Sequence, residues 1–344
     1  MKPGAAVALA LACAACGNST PVNAQPILAT IVVGARPGTP VAGLGAIWVP
    51  NTGDGTVSKI DPATNRRVAT WRIGDAMAFY SRDCEPFGSV HSFMGTTFFV
   101  RRCDLPSAVA TDEHLLWAAE NDTNSIIALD PANGHRSVAV PIGFTPFDLA
   151  TDDTSVWVTS YWDDAIVRVD TASAKVVAVI RERGDGPSGM AVKDNTLWVA
   201  NSRAGTVVRI DRKSNQVTAT IPLPCREPCP IGPTPVAIAA TADAVWVRNM
   251  ASGTLARIDP TTNQVVATID VGAFDGRAGL DGVAVTSSSI WLTGVNLQRV
   301  DTRTSTLSGT FDLNAYTMGF GYGSLWVTDV RGRILRIDPQ LASA

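Results

Sequence analysis

The chain has 344 residues, 46% hydrophobic and 17% charged, enough apolar surface to bury a large core. Its net charge of −3 lacks the basic footprint of a nucleic-acid binder, so no nucleic-acid partner is expected. No low-complexity linker or like-charge run follows Gln25, and the remaining length suits one domain.

The first segment, residues 1–24, reads as a signal peptide. Lys2 precedes the apolar run AAVALALACAA, which is too short for a stable membrane span. Two processing sites compete. Cys16 stands where a lipoprotein signal would acylate it, although the residue three before it is Cys13 rather than Leu. The tripeptide VNA before Gln25 suits ordinary secretion, with small residues at Val22 and Ala24. Either way the chain is expected in the bacterial periplasm or at the cell surface. A lipid anchor at its N-terminus would be its one membrane contact.

Residues 25–344 then repeat one unit. ILATIVVG at Ile27–Gly34 matches VVATIDVG at Val265–Gly272, the last strand of a later copy. The clearest full copy is Gly186–Ile221, GPSGMAVKDNTLWVANSRAGTVVRIDRKSNQVTATI. Four runs rich in β-branched and aromatic residues are separated by KDNT, SRAG and RKSN, turn chemistry that marks a four-stranded meander. Trp198 sits at its centre. Trp48, Trp117, Trp157, Trp246, Trp291 and Trp326 occupy matching positions. Pro stands eleven before the Trp in five copies (Pro37, Pro106, Pro146, Pro187, Pro235). Asp stands thirteen after it in five (Asp61, Asp130, Asp170, Asp211, Asp259), while Asp301 and Asp338 follow at ten and twelve. A period of about 40 residues with four strands per unit predicts propeller blades. The expected fold is an all-β, seven-bladed β-propeller. The last copy, ending RILRIDPQLASA, supplies only three strands, so the N-terminal strand should complete blade 7 and close the ring.

Two connections break the period, at about residues 74–105 and 222–234. Each joins the outer strand of one blade to the inner strand of the next and contains two cysteines. Cys84–Cys103 and Cys225–Cys229 are the pairings expected, since each pair lies within one insertion, no histidine adjoins Cys225 or Cys229, and export favours disulfides over metal. Both insertions should rise from one face and rim the central funnel, where loops on a rigid scaffold carry binding.

LWVANSRAGTVVRIDRKSNQVTATI and VWVRNMASGTLARIDPTTNQVVATIDVG resemble the YVTN-type β-propeller repeat, over nearly all of residues 27–338. That resemblance implies the fold and an exported or surface protein, and leaves the activity open. More distantly, the repeats are similar to those of virginiamycin B lyase, a seven-bladed enzyme using His and Glu with a divalent metal. This chain has only His91, His114 and His135, with no clustered His/Glu pair on one blade as that mechanism needs, so that chemistry is not carried over. Nucleophile elbow, P-loop and HExxH motifs are absent from the sequence.

Candidate site residues are those that depart from the repeat. Three positions after the Trp the copies carry Asn51, Glu120, Ser160, Asn201, Asn249, Gly294 and Asp329, a polar ring expected at the funnel mouth. Nine positions before it they carry Thr39, Ala108, Asp148, Gly189, Ala237, Gly282 and Thr317, where Asp148 alone is charged. Blade 3 adds Tyr161, Trp162, Asp163 and Asp164 in one hairpin. The ligand-binding set is therefore Asp148, Tyr161, Trp162, Glu120, Asn201, Asn249 and Asp329. The bland alternative is hairpin capping. Trp and Asp of the repeats are expected to be structural. The favoured function is a monomeric module binding a protein or small molecule, without a cofactor. The rival is an enzyme holding Ca²⁺ or Mg²⁺ on oxygen donors such as Glu120, Asp148, Asn201 and Asp329.

Overall fold

The structure, a computed structural model, describes residues 27–73, 91–93, 96–98, 108–181, 185–225, 232–272, 282–294 and 296–340. Seven four-stranded antiparallel sheets account for nearly all of it. Their innermost strands, from Val41–Gly43 in blade 1 to Thr317–Gly321 in blade 7, neighbour one another in sequence order and close a ring. The molecule is a seven-bladed β-propeller. A two-stranded hairpin, His91–Phe93 with Thr96–Phe98, lies within the first insertion and was not legible from the repeat.

Closure follows the pattern match. Ile27–Val32 is the outermost strand of blade 7, antiparallel to Arg333–Ile337, with Ile31 opposite Ile334. One ring edge that would invite pairing with other chains is thereby filled from the other end of the sequence. The start of each inner strand, the end of the second, the start of the third and the end of the outer share one face. In blade 4 that face holds Pro187 opposite Asn201 and Thr206 opposite Pro222. We call it the upper face. Both insertions leave from it. Cys225 is disulfide-bonded, while Cys16, Cys84, Cys103 and Cys229 lie outside the described residues.

The core is seven apolar clusters, each shared by two neighbouring blades. Trp198 of blade 4, for example, packs with Val245, Val247 and Ala256 of blade 5. All seven repeat tryptophans are at most 2% exposed. Every copy therefore uses its Trp as a wedge between blades, where a large ring removes most surface from water per residue.

A cation from the third strand covers six of these rings. Lys59, Arg168, Arg209, Arg257, Arg299 and Arg336 lie 5.0 to 5.9 Å from the ring centroids of their own blade's Trp. All but Arg299 also reach into the next blade's Asp-containing turn. Arg168 donates to Arg212 O and Asn215 Oδ1, and Arg209 to Pro260 O and Asn263 Oδ1. Arg336 closes the ring on Pro62 O and Asn65 Oδ1. Lys59 reaches Pro131 O at 2.6 Å. The outer strand bulges immediately after the cation in blades 1, 3, 4, 5 and 6, for instance between Arg209 and Ile210. Such a bulge bends the outer strand locally.

The turns are built to receive it. Asp61 Oδ1 accepts the Ala63 amide at 2.8 Å and Oδ2 the Thr64 hydroxyl at 2.8 Å. These hydrogen bonds hold its carboxyl below the usual range, as similar ones do for Asp170, Asp211, Asp259 and Asp301. Asn65, Asn215 and Asn263 sit at φ 56–57°, a conformation asparagine tolerates, and present Oδ1 to the incoming arginine. The repeat aspartates are structural, as expected.

Glycine marks two close approaches. A Cβ on Gly319 would lie 2.1 Å from Pro40 O, where inner strands of blades 7 and 1 meet. A Cβ on Gly134 would strike the ring of Trp71, which reinforces the seam between blades 1 and 2 at 5.2 Å from Trp48.

The clamp predicts a graded cost. Arg209→Ala should lose about 2–4 kcal/mol by urea unfolding, combining cation–π and charged hydrogen-bond contributions. Arg209→Met, which keeps the apolar cover, should lose about half of that. Equal stabilities of wild type and Arg209→Ala would show that the clamp is not holding the seam.

Candidate functional site

The polar ring three residues after the Trp is buried rather than open. Asn51 is fully covered: Oδ1 accepts the Gly34 amide at 2.9 Å, and Nδ2 donates to Thr56 Oγ1 at 2.9 Å and Ser58 Oγ at 3.0 Å. Asn249 donates likewise to Thr254 Oγ1 at 3.1 Å. Asn201 is equally buried, but the counterpart of Ser58 is Val208, and its amide makes no hydrogen bond. Asn51 and Asn249 thus tie the hairpin between second and third strands to itself. A polar residue at a strand end looks solvent-facing in sequence, yet here the hairpin folds over it.

The two carboxylates of that ring are also engaged. Glu120 pairs with Arg136 and accepts Thr123 Oγ1 at 2.7 Å. Arg136 in turn donates to Ile73 O at 3.0 Å, fixing the point where the first insertion departs. Asp329 accepts the Arg331 amide at 2.9 Å and Arg333 Nε at 2.8 Å. Among the described residues, no three His, Cys, Asp or Glu side chains are grouped as a metal ion would need. Of the oxygen donors named from sequence, Glu120 and Asp329 are each paired with an arginine. His114 and His135 lie in hairpins on the lower face, and the side chain of His91 is not described.

The second ring, nine before the Trp, does stand at the funnel, at the start of the innermost strands. Its members are small because neighbouring strands nearly touch. A Cβ on Gly189 would meet Val236 O at 2.5 Å, and one on Gly282 would meet the Met318 nitrogen at 3.0 Å. Thr39 and Thr317 share a hydroxyl hydrogen bond of 2.9 Å. Asp148 is the exception. Its Oδ1 accepts the Leu149 amide at 2.9 Å and its Oδ2 the Met190 amide of blade 4 at 3.2 Å. Burial pushes its carboxyl up to about 6, against the pull of those two amides.

Blade 3 also carries an aromatic group on its upper face. Phe147 and Tyr161 are 5.5 Å apart between ring centroids, and Tyr161 meets Trp162 edge-on at 4.7 Å. Arg203 of blade 4 lies over Tyr161, its guanidinium carbon 4.8 Å from the centroid. Arg203 also donates to Tyr161 O at 3.0 Å and pairs with Asp164. Asp163 accepts the Thr145 amide at 2.9 Å and the Ser160 hydroxyl at 2.7 Å. All three rings remain partly exposed. Asp163 and Asp164 therefore cap the hairpin, while Phe147, Tyr161 and Trp162 come together on the upper face of the blade whose inner strand begins at Asp148. The structure does not gather Glu120, Asn201, Asn249 and Asp329 with them. Phe147 and Arg203 belong to the group but were missed in sequence. Phe147 follows a repeat Pro and Arg203 sits in an ordinary turn, so only proximity to Tyr161 identifies them.

The molecule is thus a seven-bladed β-propeller whose upper mouth departs from its repeat at blade 3. No family model matches the chain, and no curated protein does. Solved structures do. A streptogramin B lyase is 18% identical, with a TM-score of 0.66, over 91% of this chain and 96% of that one. A catalytically inactive virginiamycin B lyase from Staphylococcus aureus with quinupristin is 14% identical, with a TM-score of 0.66, over 93% and 96%. The Cps50 (Swd1) β-propeller domain of Myceliophteria thermophila is 11% identical, with a TM-score of 0.68, over 92% and 99%. At these identities the likeness is one of fold.

Asp148 generates a pH prediction. Its folded pKa lies above the ordinary carboxylate value, so the folded state binds the proton more tightly than the unfolded chain. Its contribution to stability is greatest below pH ~4 and is lost as pH rises through about 6. Asp148→Asn should gain about 2–3 kcal/mol relative to wild type between pH 4 and pH 8, read from urea midpoints. Parallel pH profiles for the two proteins would contradict the assignment.

Proposed function

We propose that this is an exported binding module, lipid-anchored at Cys16 or secreted, that holds its ligand at the upper mouth of blade 3. The carrying observation is the partly exposed group Phe147–Tyr161–Trp162 on the blade whose inner strand begins at Asp148. The repeat tryptophans are spent on seams between blades, whereas these rings are partly exposed on the upper face. Rigid rings on a rigid scaffold bind with little loss of side-chain entropy. A sugar, a peptide or a small apolar ring would each suit such a surface. The test is a crystallographic soak with a fragment set of sugars, short peptides and aromatic compounds. Fragment density against Tyr161 and Trp162, absent in Trp162→Ala, is expected. Fragments gathering elsewhere on the ring would overturn this reading.

A second reading is favoured by one observation, the superposition on streptogramin B lyases over nine-tenths of the chain. On that reading quinupristin would be consumed in the presence of Mg²⁺, as followed by chromatography, and chelation would stop it. The donor arrangement described above supports binding rather than catalysis. Quinupristin left intact by the purified protein with Mg²⁺ is therefore the expected result.

A further inference from the structure

The ligand at this mouth can be narrowed by charge, an inference that rests on the binding reading above. We infer that the blade 3 sector recognises a protonated amine carried next to an apolar ring. Asp148 is the inner end of that site. Its two oxygens accept only backbone amides, from Leu149 and Met190, and among the described residues no cation pairs with it. A carboxylate partly withdrawn from water with two hydrogen bonds and no countercharge is the group a ligand cation would stabilise. Its neighbours in the ring of first inner-strand positions are the small residues Ala108 and Gly189.

The aromatic rim supplies the other half. Tyr161 already takes a cation on its face, since Arg203 lies 4.8 Å from its centroid. The ring environment at this point is therefore one in which positive charge is favoured. That arginine is neutralised by Asp164, so it leaves the negative charge of Asp148 uncompensated. Trp162, edge-on to Tyr161 and partly exposed, offers an apolar surface for the ring attached to the amine. The expected ligand class is an aryl-alkylammonium group, whether in a small amine or at the end of a peptide.

Two probes of the same shape separate charge from apolar contact: phenethylammonium and phenethyl alcohol, titrated by calorimetry at pH 8. The ammonium should bind wild type about tenfold more tightly than the alcohol. Asp148→Ala installs the residue found at the matching place in blades 2 and 5, so folding should survive. It should bring both probes to the alcohol's affinity. Trp162→Ala should weaken both probes alike. Equal binding of the two probes to wild type, or a preference that persists in Asp148→Ala, overturns the amine assignment while leaving the mouth as a ligand site. Neither probe binding, or binding indifferent to Trp162→Ala, overturns the site itself.

Discussion

One side chain in each of five blades carries much of the ring. The third-strand cation lies on its own blade's Trp and donates to the turn of the next blade. It therefore belongs to the core and to the seam at once. A propeller blade touches only its two neighbours, so the closed ring is only as strong as its seams. Hydrogen bonds to a charged donor, about 1.5–3 kcal/mol each, are directional. The apolar clusters between blades are not. The arginine thus fixes the angle at which blades meet while the tryptophan supplies the buried area.

The copies show that clamp and socket go together. Where the cation is arginine and the next turn offers asparagine, two bonds form, as between Arg336 and Asn65 with Pro62. Blade 5 reaches a serine instead, Arg257 to Ser305 Oγ at 3.4 Å. Blade 1 has lysine, with a single bond to Pro131 O, and there the turn carries Gly134 under Trp71. Blade 2 has Ala128 in place of the cation, and the receiving turn of blade 3 has Ala174 in place of asparagine. That seam is held elsewhere: Thr151 donates to Thr111 O, Thr145 to Asn124 Oδ1, and Arg181 lies over Phe144.

This explains what could be read in the sequence and what could not. Period, blade number and closure were legible because each blade solves one packing problem with the same Trp, Pro and Asp. The clamp was not. Arg209 alternates with buried Val208 and Ile210 and looks like an ordinary solvent-facing residue of a half-buried strand. Only its place over Trp198 and its reach to Pro260 give it a role. The polar ring misled for a related reason. Asn51 and Glu120 lie at strand ends, but their partners, Ser58 and Arg136, sit on other strands of the same blade. Sequence position shows that a side chain is polar without showing which neighbour it satisfies.

The blade 3 departures have a different standing, because no packing demand of the repeat requires them. In a ring whose inner positions are small enough that glycine stands against a neighbouring carbonyl, Asp148 brings a carboxylate that burial disfavours. Hairpin capping explains Asp163 and Asp164, which hold Thr145, Ser160 and Gly186. It does not explain Asp148, whose amide partner on blade 4 has counterparts that other blades meet with no side chain at all, as at Gly282 and Met318. A charge retained where the fold works without one is a cost that folding alone does not repay. The binding proposed at the mouth would give that charge a purpose.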